Sequence, residues 1–194
     1  MKPCLLAVED ELSEIAARRV IGAYSRLQVS ECYGKKGFGY LKANIDKFQE
    51  AARQIPYVVL TDLDQYPCAT ALKDNWGVIS TQRDFIFRVA VRSIESWLMA
   101  DRENCADFLG IATRKIPLNP DAENNPKRLL IELAKKSRKR EIKDDLVPKE
   151  KSTSKVGRNY NGRLGAFARE RWDIESAQKH SNSLSRAIRA LKKL

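Results

Sequence analysis

Four acidic side chains stand at or shortly after the ends of predicted strands. Glu9 follows a first apolar strand, Asp62 and Asp64 follow the clearest strand pattern, and Glu95 comes four residues after another apolar run. Because the carboxyl ends of parallel strands meet at one edge of a sheet, we expect these carboxylates to share one crevice. Clustered carboxylates repel one another unless a cation neutralises them, and oxygen ligands without imidazole favour Mg²⁺ or Mn²⁺ over zinc. The pattern predicts a divalent-metal site.

The other reactive residue types point away from alternative chemistries. His180 is the only histidine, and its polar surroundings are typical of an exposed side chain. The four cysteines are widely separated and form no CxxC pair, which argues against zinc ribbons and thioredoxin-like sites. If the chain is an enzyme, we expect carboxylates to carry its chemistry.

The predicted elements that must position these acids alternate between strand and helix. Strand patterns cover residues 3–8, 27–33, 57–61 and 85–91, with a weaker one at 77–80. Helical periodicity lies between and after them, at 12–24, 41–55, 69–75 and 92–100. The alternation predicts an α/β fold with a Rossmann-like, mostly parallel sheet. We expect this catalytic domain to comprise residues 1–112, because the composition of the chain changes after Gly110.

Basic residues are concentrated in the last part of the chain. Residues 1–110 hold 14 Lys and Arg against 15 Asp and Glu, whereas residues 111–194 hold 22 against 10. Helical patterns at 127–141 and 184–194 predict a mostly helical, basic C-terminal region over residues 113–194. Nucleic acid is the commonest partner of such a surface, and a solvated basic face is the alternative.

A stretch from Pro148 to Gly165 is basic, contains three glycines and has few apolar side chains. It is predicted to be a mobile loop that closes over a phosphate backbone, although a solvated linker would have the same composition. Tyr160 would stack on a base there, or else pack as a turn residue. The candidate nucleic-acid contacts are Lys149, Lys151, Lys155, Arg158, Tyr160 and Arg163.

The order of a Glu after the first strand and an Asp-x-Asp after a later one resembles the Toprim catalytic domain. Toprim domains occur in topoisomerases, primases and nucleases of the overcoming-lysogenization-defect group. The closer resemblance is to the DUF4276-type bacterial Toprim-like family, through VAVRSIESWLMAD at residues 89–101. Similar segments follow at 108–111, 125–127, 160–161 and 172–173. Toprim domains usually have Gly after the first Glu and often an acid four residues on, where this chain has Asp10 and Ser13.

The resemblance implies Mg²⁺- or Mn²⁺-dependent cleavage of phosphodiester bonds in DNA or RNA. In that role Glu9 is a general base or metal ligand, Asp62 and Asp64 are metal ligands, Glu95 is an additional ligand, and Glu14 is a further candidate ligand. Family members resemble the nuclease halves of bacterial phage-defence systems whose ATPase is a separate protein. The sequence contains no GxxxxGK[ST] motif, so any ATP dependence would come from that partner.

Two other functional classes remain open at this point. One is a non-catalytic nucleic-acid-binding protein with a decayed site. The other is a receiver-like phosphoacceptor domain, suggested by residues 8–11 and 58–62, although receivers need a lysine at a late strand end and none follows residues 85–91. No apolar run approaches ~18 residues and no full signal-peptide core is present, so we expect a cytoplasmic protein without a membrane partner. Homo-oligomers are compatible with these features.

Overall fold

A computed structural model describes residues 1–79 and 82–193 of the 194-residue chain. It contains a four-stranded, all-parallel sheet in the order β2-β1-β3-β4, which confirms the predicted α/β, Rossmann-like class. The weak strand pattern at 77–80 forms no strand at residues 77–79, and Ser80 lies outside the described residues. The strands are β1 (Lys2–Val8), β2 (Leu27–Gly34), β3 (Tyr57–Asp62) and β4 (Phe85–Ala90).

The two central strands, β1 and β3, are the most buried. Leu6, Ala7 and Val8 close β1 without solvent exposure, and β3 is buried from Tyr57 to Thr61. A continuous apolar, β-branched run is what a strand covered on both faces requires, which is why the sequence pattern was clear. Val8 pairs with Leu60 in the register of β1 and β3. The residues that follow these two therefore leave the sheet side by side.

Helices follow or precede each strand and make up the rest of the regular structure. Asp10 begins the first of them, because its side chain accepts a hydrogen bond of 2.8 Å from the Ser13 N–H. The helices are α1 (Glu11–Tyr24), α2 (Phe38–Ala43), α3 (Ile45–Ala51), α4 (Ala69–Trp76), α5 (Ile94–Ala100), α6 (Arg102–Leu109), α7 (Pro126–Lys135), α8 (Arg140–Leu146), α9 (Tyr160–Glu170), α10 (Ile174–Ala177) and α11 (Asn182–Leu191).

Three predicted segments differ from the observed elements. The single helix expected at 41–55 is two helices, α2 and α3, that meet at Asn44. The helix expected at 127–141 ends at Lys135, and the Ser137 hydroxyl accepts from the Lys139 N–H, which gives the backbone a non-helical partner. The loop expected at 148–165 ends at Asn159, where α9 follows.

The chain forms two compact units, and their boundary differs from the one expected at residue 112. The first unit comprises residues 1–94 and 183–194, and the second comprises residues 95–182. The last helix therefore belongs with the sheet: the Ser183 hydroxyl accepts from the Val91 N–H at 3.3 Å. The first unit holds 17 Lys and Arg against 11 Asp and Glu, and the second holds 19 against 14. The basic excess is shared between the units rather than confined to a C-terminal region.

The second unit, whose residues 95–182 are all described, contains helices and short 3₁₀ turns but no strand, and residues 147–159 connect α8 to α9 without regular structure. Its core contains two buried tryptophans, and the Trp172 indole N–H donates to the Trp97 carbonyl at 3.1 Å. Phe108 stacks on Phe167 with ring centroids 4.8 Å apart. Buried aromatic pairs of this kind supply most of the apolar area of a small helical core. In the described parts of the chain, no helix is long and apolar enough to cross a membrane.

A glycine-bearing loop after β2 closes against the end of β1. The Lys35 N–H donates to the Val8 carbonyl at 2.9 Å, and the Gly37 N–H donates to the Glu9 carbonyl at 3.0 Å. Gly34 has φ +96°, and a Cβ there would lie 2.2 Å from the Val8 carbonyl oxygen. Only glycine lets β2 end this close to β1, so this loop fixes the backbone at Glu9.

We predict that Gly34→Ala destabilises the protein by ~2–5 kcal/mol, because it adds a backbone clash to the cost of left-handed φ. Gly37→Ala is the matched control, since Gly37 has φ +77° but nothing within 4 Å of its Cβ position. That control should cost only ~1–2 kcal/mol. Urea unfolding of both variants measures the difference, and equal losses would contradict the close approach.

Candidate active site

The Glu9 carboxylate joins the ends of the two central strands. Its Oε1 accepts a hydrogen bond of 2.8 Å from the Asp62 N–H and another from the Thr61 hydroxyl. Thr61 is buried in β3, and Glu9 is half-buried. The sequence singled out Glu9 and Asp62 but missed Thr61, which we identified only from this contact.

The surroundings of Glu9 favour its protonated form. Burial is the largest cause and raises the pKa of Glu9 above its ordinary value, while the hydrogen bonds from Thr61 and the Asp62 N–H oppose that rise. The negative charges of Asp64 and Asp10 raise it further. The groups that lower this pKa are hydrogen-bond donors rather than cations. Glu9 is thus a stronger base than a free glutamate at the same pH.

Asp62 and Asp64 lie on a braced turn that leaves β3. The Asp62 Oδ1 accepts from the Ile94 N–H at 3.0 Å, so this carboxylate caps the first turn of α5. Asp64 is exposed and has φ +48°, a left-handed conformation that aspartate tolerates better than most residues. Arg92 donates to the carbonyls of Asp64 and Tyr66, at 3.2 and 2.6 Å. Arg92 is a positioning residue that sequence patterns did not mark.

Within residues 1–79 and 82–193, no group of three or more His, Cys, Asp or Glu side chains is arranged to hold a metal ion. The described residues therefore do not form the cage of four carboxylates expected from the strand ends. Mg²⁺ in phosphoryl-transfer sites is usually held by one or two carboxylates, with water and substrate phosphate as the other ligands. Asp62 and Asp64 would be the two protein ligands of such a site.

Glu95 belongs to the second unit, where it is buried and paired. Its Oε1 accepts from the Tyr160 hydroxyl at 3.1 Å and lies 3.4 Å from the Lys127 Nζ. The Lys127 ammonium also lies over the Tyr160 ring, 5.9 Å from its centroid. A buried carboxylate needs such partners, since removing one would leave an uncompensated charge. Sequence analysis included Lys127 in the 125–127 segment but assigned it no role.

Glu14 is held by two cations on the surface of the first unit. Its carboxylate lies 2.8 Å from the Arg18 Nε and 3.0 Å from the Lys35 Nζ. Burial raises the pKa of Glu14, but the hydrogen bonds and charges of Arg18 and Lys35 outweigh it, so the pKa is lowered. In this structure Glu14 therefore forms ion pairs with Arg18 and Lys35.

The candidate nucleic-acid contacts divide into exposed and engaged side chains. Tyr160 is 2% exposed, so the prediction that it stacks on a base from an open loop is wrong: it starts α9 and faces Glu95. Arg163 and Arg158 both pair with Asp145, at 2.6 and 3.7 Å. Lys149, Lys151, Lys155 and Arg158 are all exposed, and of these four Arg158 is the one that pairs with Asp145.

A basic cavity of about 460 Å³ lies where α7 and α8 meet this segment. Its cations are Lys135, Lys143, Lys149 and Arg158, and Asp144 is its single acid. An adjoining cavity of about 360 Å³ shares Lys149 and Arg158 and adds Lys151. Converging cations with few carboxylates favour a polyanionic ligand. Sequence analysis missed Lys135 and Lys143, because only the fold brings them to this cavity.

The chain was compared with models of protein families, with curated proteins and with solved structures, and none of the three comparisons finds a match.

We predict that Glu9→Gln stabilises the protein at neutral and alkaline pH. Glu9 has a folded-state pKa above its ordinary 4.5, so its ionisation lowers stability progressively as the pH rises above 4.5, and the full cost is reached once the pH exceeds the folded value. Below pH 4.5 both states are protonated and the gain should vanish. Urea unfolding at about pH 4 and about pH 8 measures this, with the exposed Glu50→Gln as control. A gain equal at both pH values would argue against a desolvated Glu9.

Proposed function

We propose that this chain is a divalent-metal-dependent nuclease that hydrolyses phosphodiester bonds of DNA or RNA. The observation that carries the proposal is the Glu9 carboxylate, fixed by Thr61 and the Asp62 N–H beside the acidic turn at Asp64. Acids at the carboxyl ends of adjacent parallel strands are placed where open α/β sheets bind ligands. The resemblance of residues 89–101 to Toprim-like proteins supports the same activity.

The residues would divide the chemistry between proton transfer and cation binding. Mg²⁺ or Mn²⁺, when held by Asp62 and Asp64 with the substrate phosphate, would neutralise the phosphate and lower the pKa of water. Glu9 would accept a proton from the attacking water, because burial raises its pKa toward that of an effective base. Thr61 would keep Oε1 fixed, and Arg92 would hold the turn that carries Asp64.

The basic cavity of the second unit would bind the phosphate backbone of the substrate. Its four cations and the exposed lysines of the 148–159 segment supply the charge that non-specific nucleic-acid binding requires. Members of the Toprim-like family that the chain resembles look like nucleases that work in phage defence beside a separate ATPase. We propose the same kind of partner here. Glu95, paired with Lys127 and Tyr160, would act as an additional ligand only if that pairing opened.

Cleavage assays on DNA and RNA test the catalytic residues directly. With Mg²⁺ or Mn²⁺ present, Glu9→Gln should lower the rate by ~10²–10⁴-fold, the usual contribution of a general base. Asp64→Asn should raise the metal concentration needed for half-maximal rate. Glu50→Gln and Asp74→Asn change exposed acids of the same unit and should cleave like the wild type. Cleavage that survives EDTA, or that Glu9→Gln leaves unchanged, would contradict the proposal.

A non-catalytic nucleic-acid-binding protein is the second candidate. It is favoured by the lack of a three-ligand metal group among the described residues, together with the basic cavity. Binding without metal-dependent cleavage in any of these assays would select it.

We predict that the exposed lysines set the salt dependence of binding in either case. Each phosphate contact on duplex DNA contributes ~0.9 to the slope of log K against log salt, so replacing Lys149, Lys151 and Lys155 with Ala should lower the slope by ~2–3. Arg163→Ala should instead weaken folding, because it removes the 2.6 Å partner of buried Asp145. Fluorescence anisotropy at several salt concentrations measures the slope. An unchanged slope in the triple variant would show that these lysines touch no phosphate.

A further inference from the structure

Phe38 is an exposed aromatic side chain that stands outside the core of the first unit. It is 50% exposed, although the next aromatic residue of α2, Tyr40, packs against the core. Within the described ranges, no aromatic ring pairs with that of Phe38. Tyr33, the other exposed aromatic side chain there, stacks on Tyr57, and its hydroxyl donates to Glu31. The ring of Phe38 is therefore open to a ligand.

The loop that carries Phe38 leaves the sheet at the edge where the candidate active site lies. Val8 pairs with Gly34 on one side and with Leu60 on the other, so β2, β1 and β3 end in one row. Neighbouring strands are ~4.8 Å apart, so the loop begins roughly 10 Å from the end of β3. An extended ligand bound at these strand ends can therefore reach the loop.

A backbone hydrogen bond ties this loop to Glu9. The Gly37 N–H donates to the Glu9 carbonyl at 3.0 Å, and Phe38 is the next residue in the chain. Lys36 comes just before them, is exposed, and forms no ion pair in the part of the chain that the structure describes. Its ammonium lies 5.5 Å from the centroid of the Tyr40 ring. The loop thus carries an exposed cation and an exposed ring beside the backbone of Glu9.

We propose that Phe38 and Lys36 bind nucleic-acid strands that have unpaired bases. The inference rests on the proposed function in taking nucleic acid as the ligand, and it narrows the substrate to single strands or to duplexes with unpaired ends. Phe38 would stack on a base, which requires a base whose face is not covered by its neighbours in a duplex. Lys36 would contact a phosphate of the same strand and offset the repulsion between that strand and the carboxylates of Glu9 and Asp64.

Fluorescence anisotropy of a labelled oligo(dT) strand, with the full chain and EDTA present, tests the stacking contact. Phe38→Ala should weaken binding by about fivefold or more, the usual effect of losing one base–aromatic stack. Phe38→Leu keeps an apolar side chain without a π-face and should weaken binding comparably, whereas Phe38→Trp should bind like the wild type. Because Phe38 is exposed, all three variants should fold.

Lys36→Ala tests the phosphate contact in the same assay. It should weaken binding and lower the slope of log K against log salt by ~0.7, the contribution of one phosphate contact on a single strand. The matched control is Lys47→Ala, which removes an exposed lysine of α3 in the same unit. That control should keep the affinity and the slope of the wild type.

A strand of stable abasic residues separates stacking from phosphate contact. Phe38→Ala should leave the affinity for this strand unchanged, whereas Lys36→Ala should weaken it. The inference is overturned if Phe38→Ala binds oligo(dT) like the wild type, which would leave the exposed ring to a protein partner, or if it loses as much affinity for the abasic strand. It is also overturned if the wild type binds neither strand. Because the assay contains no metal and measures no cleavage, the nuclease proposal is judged separately, by the effect of Glu9→Gln on cleavage.

Discussion

The hydrogen bonds that the Glu9 carboxylate accepts from Thr61 and from the Asp62 N–H connect the ends of the two central strands. They exist because the register pairs Val8 with Leu60, so the next residues of β1 and β3 leave the sheet together. A carboxylate accepts both donors with one oxygen, which a shorter or apolar side chain could not do. Two further contacts lie next to this connection. Arg92 donates to the Asp64 carbonyl, and the Asp62 carboxylate accepts from the Ile94 N–H at the start of α5.

This connection has an energetic cost that a purely structural contact would avoid. Burial and the charges of Asp64 and Asp10 hold the pKa of Glu9 above its ordinary value, so its ionised form is disfavoured in the folded protein. A glutamine would accept the same two hydrogen bonds without that cost. A position that keeps an ionisable group where a neutral isostere would be more stable is typical of a functional residue.

Local sequence patterns were enough to predict the sheet, because a strand buried on both faces needs the unbroken apolar run seen at Tyr57–Thr61. They also located Glu9, Asp62 and Asp64, since strand ends follow from strand positions. They failed where a partner lies far along the chain. Tyr160 reads as a loop residue by composition, yet it contacts Glu95, 65 residues away. Periodicity carries no information about such pairs, and the same holds for Arg163 with Asp145.

The distribution of charge in the folded protein also differs from its distribution along the sequence. The count along the chain suggested a neutral domain followed by a basic one, but residues 183–194 add four cations to the unit that contains the sheet. The first unit also contains two ionisable groups whose charged forms are disfavoured by burial, Glu9 and Arg88. The charged form of Glu9 is negative, and that of Arg88 is positive. Burial disfavours both charged forms, so it raises the pKa of Glu9 and lowers that of Arg88. Buried polar groups are ordinarily hydrogen-bonded, and Glu9 meets that need through the Thr61 hydroxyl and the Asp62 N–H, whereas the buried Arg88 Nε has no hydrogen-bond partner among the described residues.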